Sequence, residues 1–127
     1  MKKELEDKLC KEFPTFFHRE KAITHSLMAF GFEHGDGWYD ILHSLCKDIV
    51  ELLKQYPYPE FEVIQVKEKF GTLRFYVNGA HNKIHKRIML VEEQSAHTCE
   101  ICGKPGKTRG HAWLYTACQK HTKEGAK

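Results

Sequence analysis

Apolar residues recur at helical spacing in several stretches of the chain and at every second position in one. Between Lys2 and Phe13, the residues Leu5, Leu9 and Phe13 stand four apart, which predicts a short amphipathic helix ending before Pro14. An aromatic stretch with Phe16 and Phe17 follows. Lys21 to Phe30 carries Ile23 and Leu27 on one face with Gly31 as a stop, and predicts a second short helix. Gly35-Asp36-Gly37 then offers a turn and a capping carboxylate. After it, Trp38, Ile41, Leu42, Leu45, Ile49, Leu52 and Leu53 repeat at helical spacing, so Asp36 to Gln55 is the expected main core helix. Two prolines within Tyr56-Pro57-Tyr58-Pro59 end it.

From Phe61 to Asn78 the period falls to two. A hairpin loop of Lys69-Phe70-Gly71-Thr72 places Ile64, Val66, Leu73, Phe75 and Val77 on one face. Val63, Gln65, Lys67, Arg74 and Tyr76 take the other, with Lys67 directly opposite Arg74. A one-residue slip would set Val66 against Arg74 and Lys67 against Leu73, so the sorting selects this register. Asn82 to His97 returns to helix, with Ile84, Ile88, Val91 and Ser95 on one stripe. The expected fold class is α+β, with helices packed on a β-hairpin across residues 1–97 and a small C-terminal module across 98–127.

A length of 127 residues with 41% hydrophobic positions suits one compact domain with a small satellite, and excludes a large multi-domain enzyme. The chain has no apolar run of membrane-spanning length, and its lysine-rich start lacks a secretory signal pattern, so a soluble cytoplasmic protein without a membrane partner is expected. Charge is unevenly divided. Residues 1–63 carry 8 Lys+Arg against 12 Asp+Glu, a net −4, whereas residues 64–127 carry 12 against 5, a net +7. The acidic part is helical (1–56) and the basic part begins with the hairpin and its helix (61–97). A cationic half points to an anionic partner: nucleic acid, a nucleotide or an acidic protein surface.

The strongest chemical signal is Cys99-Glu100-Ile101-Cys102-Gly103, then Cys118-Gln119-Lys120-His121, with fifteen residues between the pairs. Two pairs of donors, each separated by two residues, can close a tetrahedron around Zn2+, and three thiolates with one histidine leave no open position for substrate. The intervening Gly103-Lys104-Pro105-Gly106-Lys107 reads as a turn, so the ligands sit in a knuckle followed by a hairpin through Trp113 to Tyr115. That order suggests a treble clef or zinc ribbon with a structural metal. His97 and His111 are alternative fourth ligands. His121 completes the second two-residue pair and is preferred. His18, His25, His34 and His43 are too loosely spaced to suggest a second metal.

Lys67 opposite Arg74 is a like-charge cross-strand pair, which costs some tenths to about 1 kcal/mol unless an anion lies nearby. Two sources of that anion are open: carboxylates of the acidic half, or an external ligand. With Lys69 at the turn and Tyr76 beside the pair, the face has the cations and aromatic ring that suit phosphate contact and base stacking. Lys104, Lys107 and Arg109 are candidate additions. For Gly35-Asp36-Gly37-Trp38 the preferred reading is a helix capped by Asp36 and anchored by a buried tryptophan, over an anion held on free amides. The chain shows no nucleophile elbow, phosphate-binding glycine loop or paired-carboxylate motif. An HNH-like zinc nuclease would need a histidine or Asp-His pair beside the hairpin, and a non-enzymatic protein is expected.

Several of these segments together resemble one family. Gly35-Asp36-Gly37-Trp38 with Ile41-Leu42, the run from Gln65 to Tyr76, the cysteine pair with Gly103, Pro105 and Gly106, then Trp113, Cys118 and His121 are similar to small proteins encoded by tailed phages and prophages. The resemblance spans roughly residues 30–121. It implies a phage or prophage origin and action in a bacterial host cytoplasm. Two functional expectations result: a zinc-stabilised protein whose basic surface binds nucleic acid or a nucleotide, or an inhibitor of a host protein such as an antiviral defence or CRISPR effector.

Overall fold

A computed structural model describes residues 1–123, and the end of the expected C-terminal module, 124–127, lies outside the described residues. Helix α1 spans Lys3–Glu12, strand β1 Phe32–Glu33, helix α2 Tyr39–Gln55, strand β2 Val63–Lys69, strand β3 Thr72–Val77 and helix α3 Asn82–Ser95. Strands β4 (Lys107–Arg109) and β5 (Tyr115–Ala117) follow, with a last helical turn at Gln119–His121. The fold is thus mixed α+β. Strands order as β1-β2-β3, with β1 parallel to β2 and β2 antiparallel to β3, and β4-β5 form a separate antiparallel ladder. Among the described residues no helix is long and apolar enough to cross a membrane.

Amphipathicity explains the core. Leu9 from α1 and Phe13 just after it, Leu42, Leu45 and Ile49 from α2, and Ile84, Ile88 and Val91 from α3 are buried in one core with Val66, Leu73 and Phe75 of the hairpin. Phe16 and Phe17 complete it, with rings 5.1 Å from Phe61 and 5.0 Å from Phe32 respectively, in edge-on contact. Ser95 on the α3 stripe is fully buried because its hydroxyl accepts from Leu73 N at 2.8 Å, while Glu92 accepts from Phe75 N at 3.0 Å. Two side chains of α3 thereby occupy main-chain donors of β3.

The hairpin register is the expected one from Gln65 to Thr72, with Lys67 opposite Arg74 and Val66 opposite Phe75. Phe70 and Gly71 form its two-residue turn, at φ 55° and 88°. Positive φ at both central positions suits the twist of the strands. One part of the expectation fails. A bulge between Val63 and Gln65 turns Val63 into the core and leaves Ile64 half-buried.

The same bulge explains the missing second helix. Instead of a helix over Lys21 to Phe30, the chain makes irregular turns and one short helical turn at Met28–Phe30, with Ile23 exposed. Leu27 N donates to the Ile64 carbonyl at 2.8 Å, and the Ser26 hydroxyl reaches the same oxygen at 3.4 Å. A helix would have spent the Leu27 donor internally; the bulged strand takes it instead.

Candidate metal centre and basic face

The knuckle Cys99–Gly103 is a tight loop: Gly103 N donates to Cys99 O at 2.9 Å, and Cys99 N to Lys104 O at 2.8 Å. Strand β5 leads directly to Cys118, and the Gln119–His121 turn swings His121 back toward it, with His121 N donating to Cys118 O at 3.1 Å. These two local turns converge. The ligand atoms of Cys99, Cys102, Cys118 and His121 all lie within 4.8 Å of one another. The Cys102 and Cys118 sulfurs are 3.7 Å apart, and His121 Nδ1 is 3.2 Å from the Cys118 sulfur and 3.6 Å from that of Cys99. A tetrahedral ion with metal–sulfur bonds of about 2.3 Å and a metal–nitrogen bond of about 2.0 Å sets sulfurs about 3.8 Å apart and sulfur about 3.5 Å from nitrogen. The cluster therefore has the size of a tetrahedral metal site, and its cysteines form no disulfide.

Its electrostatics suit a cation. Burial pushes the Cys99 thiol up, yet the amides of Cys118, Cys102 and Ile101 directed at its sulfur bring it down to about 6. For Cys102 the Lys104 amide favours the thiolate, but desolvation and the sulfurs of Cys99 and Cys118 outweigh it and raise the pKa. Crowded thiolates repel one another unless a divalent ion supplies the opposite charge. By contrast, desolvation drives the buried Cys46 thiol far above its usual range, and that residue is core packing. His97 and His111 are exposed and stand outside the cluster, so the structure joins His121 to the three cysteines.

The glycine-tryptophan motif proves to be the dock for this knuckle. Gly37 N donates to Glu100 O at 2.7 Å, Gly35 N to a Glu100 carboxylate oxygen at 2.8 Å, and the Trp38 indole to Thr98 O at 2.9 Å. A Cβ on Gly37 would overlap the Cys99 carbonyl, so only glycine permits this approach. Asp36 does not cap α2 as expected. Its carboxylate accepts from Lys2 N at 2.7 Å, and the amides flanking it are satisfied by the knuckle. On the far side, the Thr116 hydroxyl donates to Gly71 O at 2.5 Å, fastening β5 to the turn of the first hairpin.

Lys67, Lys69, Arg74 and Tyr76 share the polar face of β2 and β3. Among the described residues no carboxylate lies within 4.0 Å of the side-chain nitrogens of Lys67, Lys69 or Arg74. The acidic half does not neutralise them because its carboxylates are used locally: Asp7 on Arg19, Glu12 on His43, Glu62 on Lys21. Glu33 on β1 lies across from Lys67, but its carboxylate accepts from Gln65 at 3.3 Å. The Nε of Arg74 is buried without an acceptor. Lys104 and Lys107 are exposed.

Arg109 is a correction to the predicted basic surface. It is buried and its Nε donates to Ala117 O at 3.0 Å, so it braces β4 against β5. Trp113 lies in the loop of the expected hairpin, between β4 and β5, and is exposed. Sequence reasoning missed the cleft this creates. Residues Glu68, Lys69, Phe70, Ala112, Trp113 and Leu114 line a space of about 310 Å3 between the two hairpins. The exposed aromatic at the hairpin turn was the available signal. A cleft of about 680 Å3 lies elsewhere, around Phe16, Tyr58 and Glu62, and none of the expected site residues lines it. Compared with known proteins, the chain matches no family model, no curated protein and no solved structure.

Proposed function

We propose that this chain is a zinc-stabilised binding protein of phage or prophage origin, acting in a bacterial cytoplasm, whose basic sheet face engages nucleic acid or a nucleotide. The observation that carries the reading is the Lys67–Arg74 pair: two cations held opposite each other, without a carboxylate partner among the described residues and with Arg74 Nε buried and lacking an acceptor. A like-charge pair of this kind is costly unless an anion bridges it, and phosphate presents the oxygen acceptors that guanidinium and ammonium groups lack. Lys69 and Tyr76 extend the candidate surface, and the exposed Lys104 and Lys107 of the C-terminal module are candidate additions. Zn2+ is the ion that best suits three thiolates and one imidazole in a closed tetrahedron, and it acts as a structural support. The knuckle, short hairpin and helical turn carrying the second ligand pair support a treble-clef-like or ribbon-like module.

The test is fluorescence anisotropy of a labelled oligonucleotide and a labelled nucleotide at rising salt, using protein whose zinc content has been measured. Affinity should fall about tenfold or more between low and moderate ionic strength if several phosphates are contacted. Lys67→Gln and Arg74→Gln should each weaken binding. No binding to either probe by the zinc-loaded protein overturns the reading.

A second reading, inhibition of a host protein, draws on Met89 and Leu90, adjacent exposed apolar side chains on α3. A partner seated there through apolar contacts should hold its affinity in added salt. An HNH-like nuclease is the weakest reading, and cleavage of nucleic acid on addition of divalent metal would establish it.

A further inference from the structure

The basic face ends in aromatic rings at both extremities. Alternation along the strands puts Thr72, Arg74 and Tyr76 of β3 beside Lys69, Lys67 and Gln65 of β2. Tyr76, 40% exposed, closes one end. At the other, Phe70 occupies the turn at 66% exposure, and Trp113 faces the same cleft at 76%. At about 3.3 Å per residue, Thr72 to Tyr76 spans about 13 Å, and the unpartnered cations lie between. Lys69 Nζ sits 5.5 Å from the Phe70 ring centroid, so a phosphate-binding charge and an aromatic platform adjoin directly.

The cleft between Phe70 and Trp113 is not itself a phosphate site. Glu68 lines it, with one carboxylate oxygen accepting from Gly71 N at 2.7 Å, and Glu68 and Glu100 both line the adjoining space of about 390 Å3. Carboxylates repel phosphate and act only as acceptors, so they favour an uncharged planar group bearing N–H donors. A nucleobase has that character: a flat apolar face for Trp113 or Phe70 and donors along its edge. In a duplex those faces are stacked and those edges paired.

We infer that the partner of this surface is a single strand of nucleic acid, its phosphates along Lys67, Arg74 and Lys69, with unpaired bases stacked on Tyr76 at one end and in the Phe70–Trp113 cleft at the other. The inference rests on the nucleic-acid reading above and narrows it to unpaired strands. Single-strand binders combine a cationic track with aromatic platforms in this way.

The molecule carries its own probe. Trp38 is fully buried and Trp113 is exposed, so ligand-dependent change in the red-edge tryptophan emission reports on Trp113. Zinc-loaded protein is titrated with a mixed-sequence single strand and with the blunt duplex of the same sequence, following emission and anisotropy together. The single strand should quench Trp113 and bind about tenfold or more tightly than the duplex. Trp113→Ala and Phe70→Ala should each weaken single-strand binding about tenfold, the loss of one stacked base, while circular dichroism and zinc content stay unchanged. Single-strand binding without quenching, or duplex binding of equal strength, overturns this inference and leaves the basic-face reading standing. Failure of both forms to bind overturns both.

Discussion

The Trp38 indole donates a hydrogen bond to the Thr98 carbonyl at 2.9 Å, tying the start of the main helix to the residue just before the cysteine cluster. Together with the Gly35 and Gly37 amides on Glu100, it makes the docking of the knuckle largely a hydrogen-bonded one. Trp38→Phe keeps an aromatic ring in the buried site but removes the donor, leaving the Thr98 carbonyl unpaired at a cost of about 1–3 kcal/mol. Amide exchange in Cys99–Gly103 should speed up more than exchange in α1. Equal change in both segments would show that the clamp has no local role.

Metal removal should act on the same region. Ligand binding in a closed Cys3His site is coupled to folding of its loops, so chelation or Cys99→Ser should unfold at least residues 98–123. Native mass spectrometry should find one zinc per chain before treatment. The β4 and β5 amides should lose protection on chelation. Retention of that protection in metal-free protein would mean that Arg109, Thr116 and the knuckle dock suffice to hold the module.

The helices and the central hairpin register were legible in sequence because their signals are local: Leu5–Leu9–Phe13, the Ile41–Leu53 stripe, and the alternation around Lys67 and Arg74. The Cys3His cluster was legible for the same reason, since each pair is brought together by one tight turn. What escaped depends on competition between distant groups. Leu27 N bonds to Ile64 O rather than continuing a helix, and Asp36 bonds to Lys2 rather than to α2. Strand β1 has only two residues, too few for a period to show. Arg109 has the same charge as Lys107 in sequence, and only the fold distinguishes a buried brace from a surface cation. The Phe70–Trp113 cleft joins the turn of one hairpin to the loop of another, with its two rings 43 positions apart, so the aromatic at the first turn was a signal that did not point to its partner.

His34 should make stability depend on pH. Burial holds its pKa down to about 4, against an ordinary 6.5, although its Nδ1 lies 2.8 Å from the Gly35 carbonyl. Its Nε2 is buried without a partner, so protonation adds a charge in a place that cannot solvate it. The stabilisation is complete above pH 6.5 and is lost as pH falls toward 4, by an order-of-magnitude total of about 3 kcal/mol. Urea unfolding of native and His34→Leu proteins across this range should show a flatter profile for the variant. Parallel profiles would assign the acid sensitivity to the metal ligands instead.

Ser95 occupies an apolar stripe without being apolar, and its hydrogen bonds explain why. Its hydroxyl donates to the Glu92 carbonyl at 2.5 Å and accepts from Leu73 N at 2.8 Å, so it joins the last turn of α3 to the buried edge of β3. Ser95→Ala slightly raises helix propensity and nearly preserves volume, yet leaves the Leu73 N–H buried without an acceptor. Such a donor costs about 1–3 kcal/mol, far more than the few tenths gained from alanine in a helix. Denaturant unfolding should shift to lower midpoint with unchanged slope. Ser95→Thr keeps the hydroxyl and adds one methyl where Ser95 is fully buried, so it separates the missing acceptor from simple packing. If the alanine variant is as stable as the native protein while threonine is destabilising, volume rather than the Leu73 hydrogen bond governs this position.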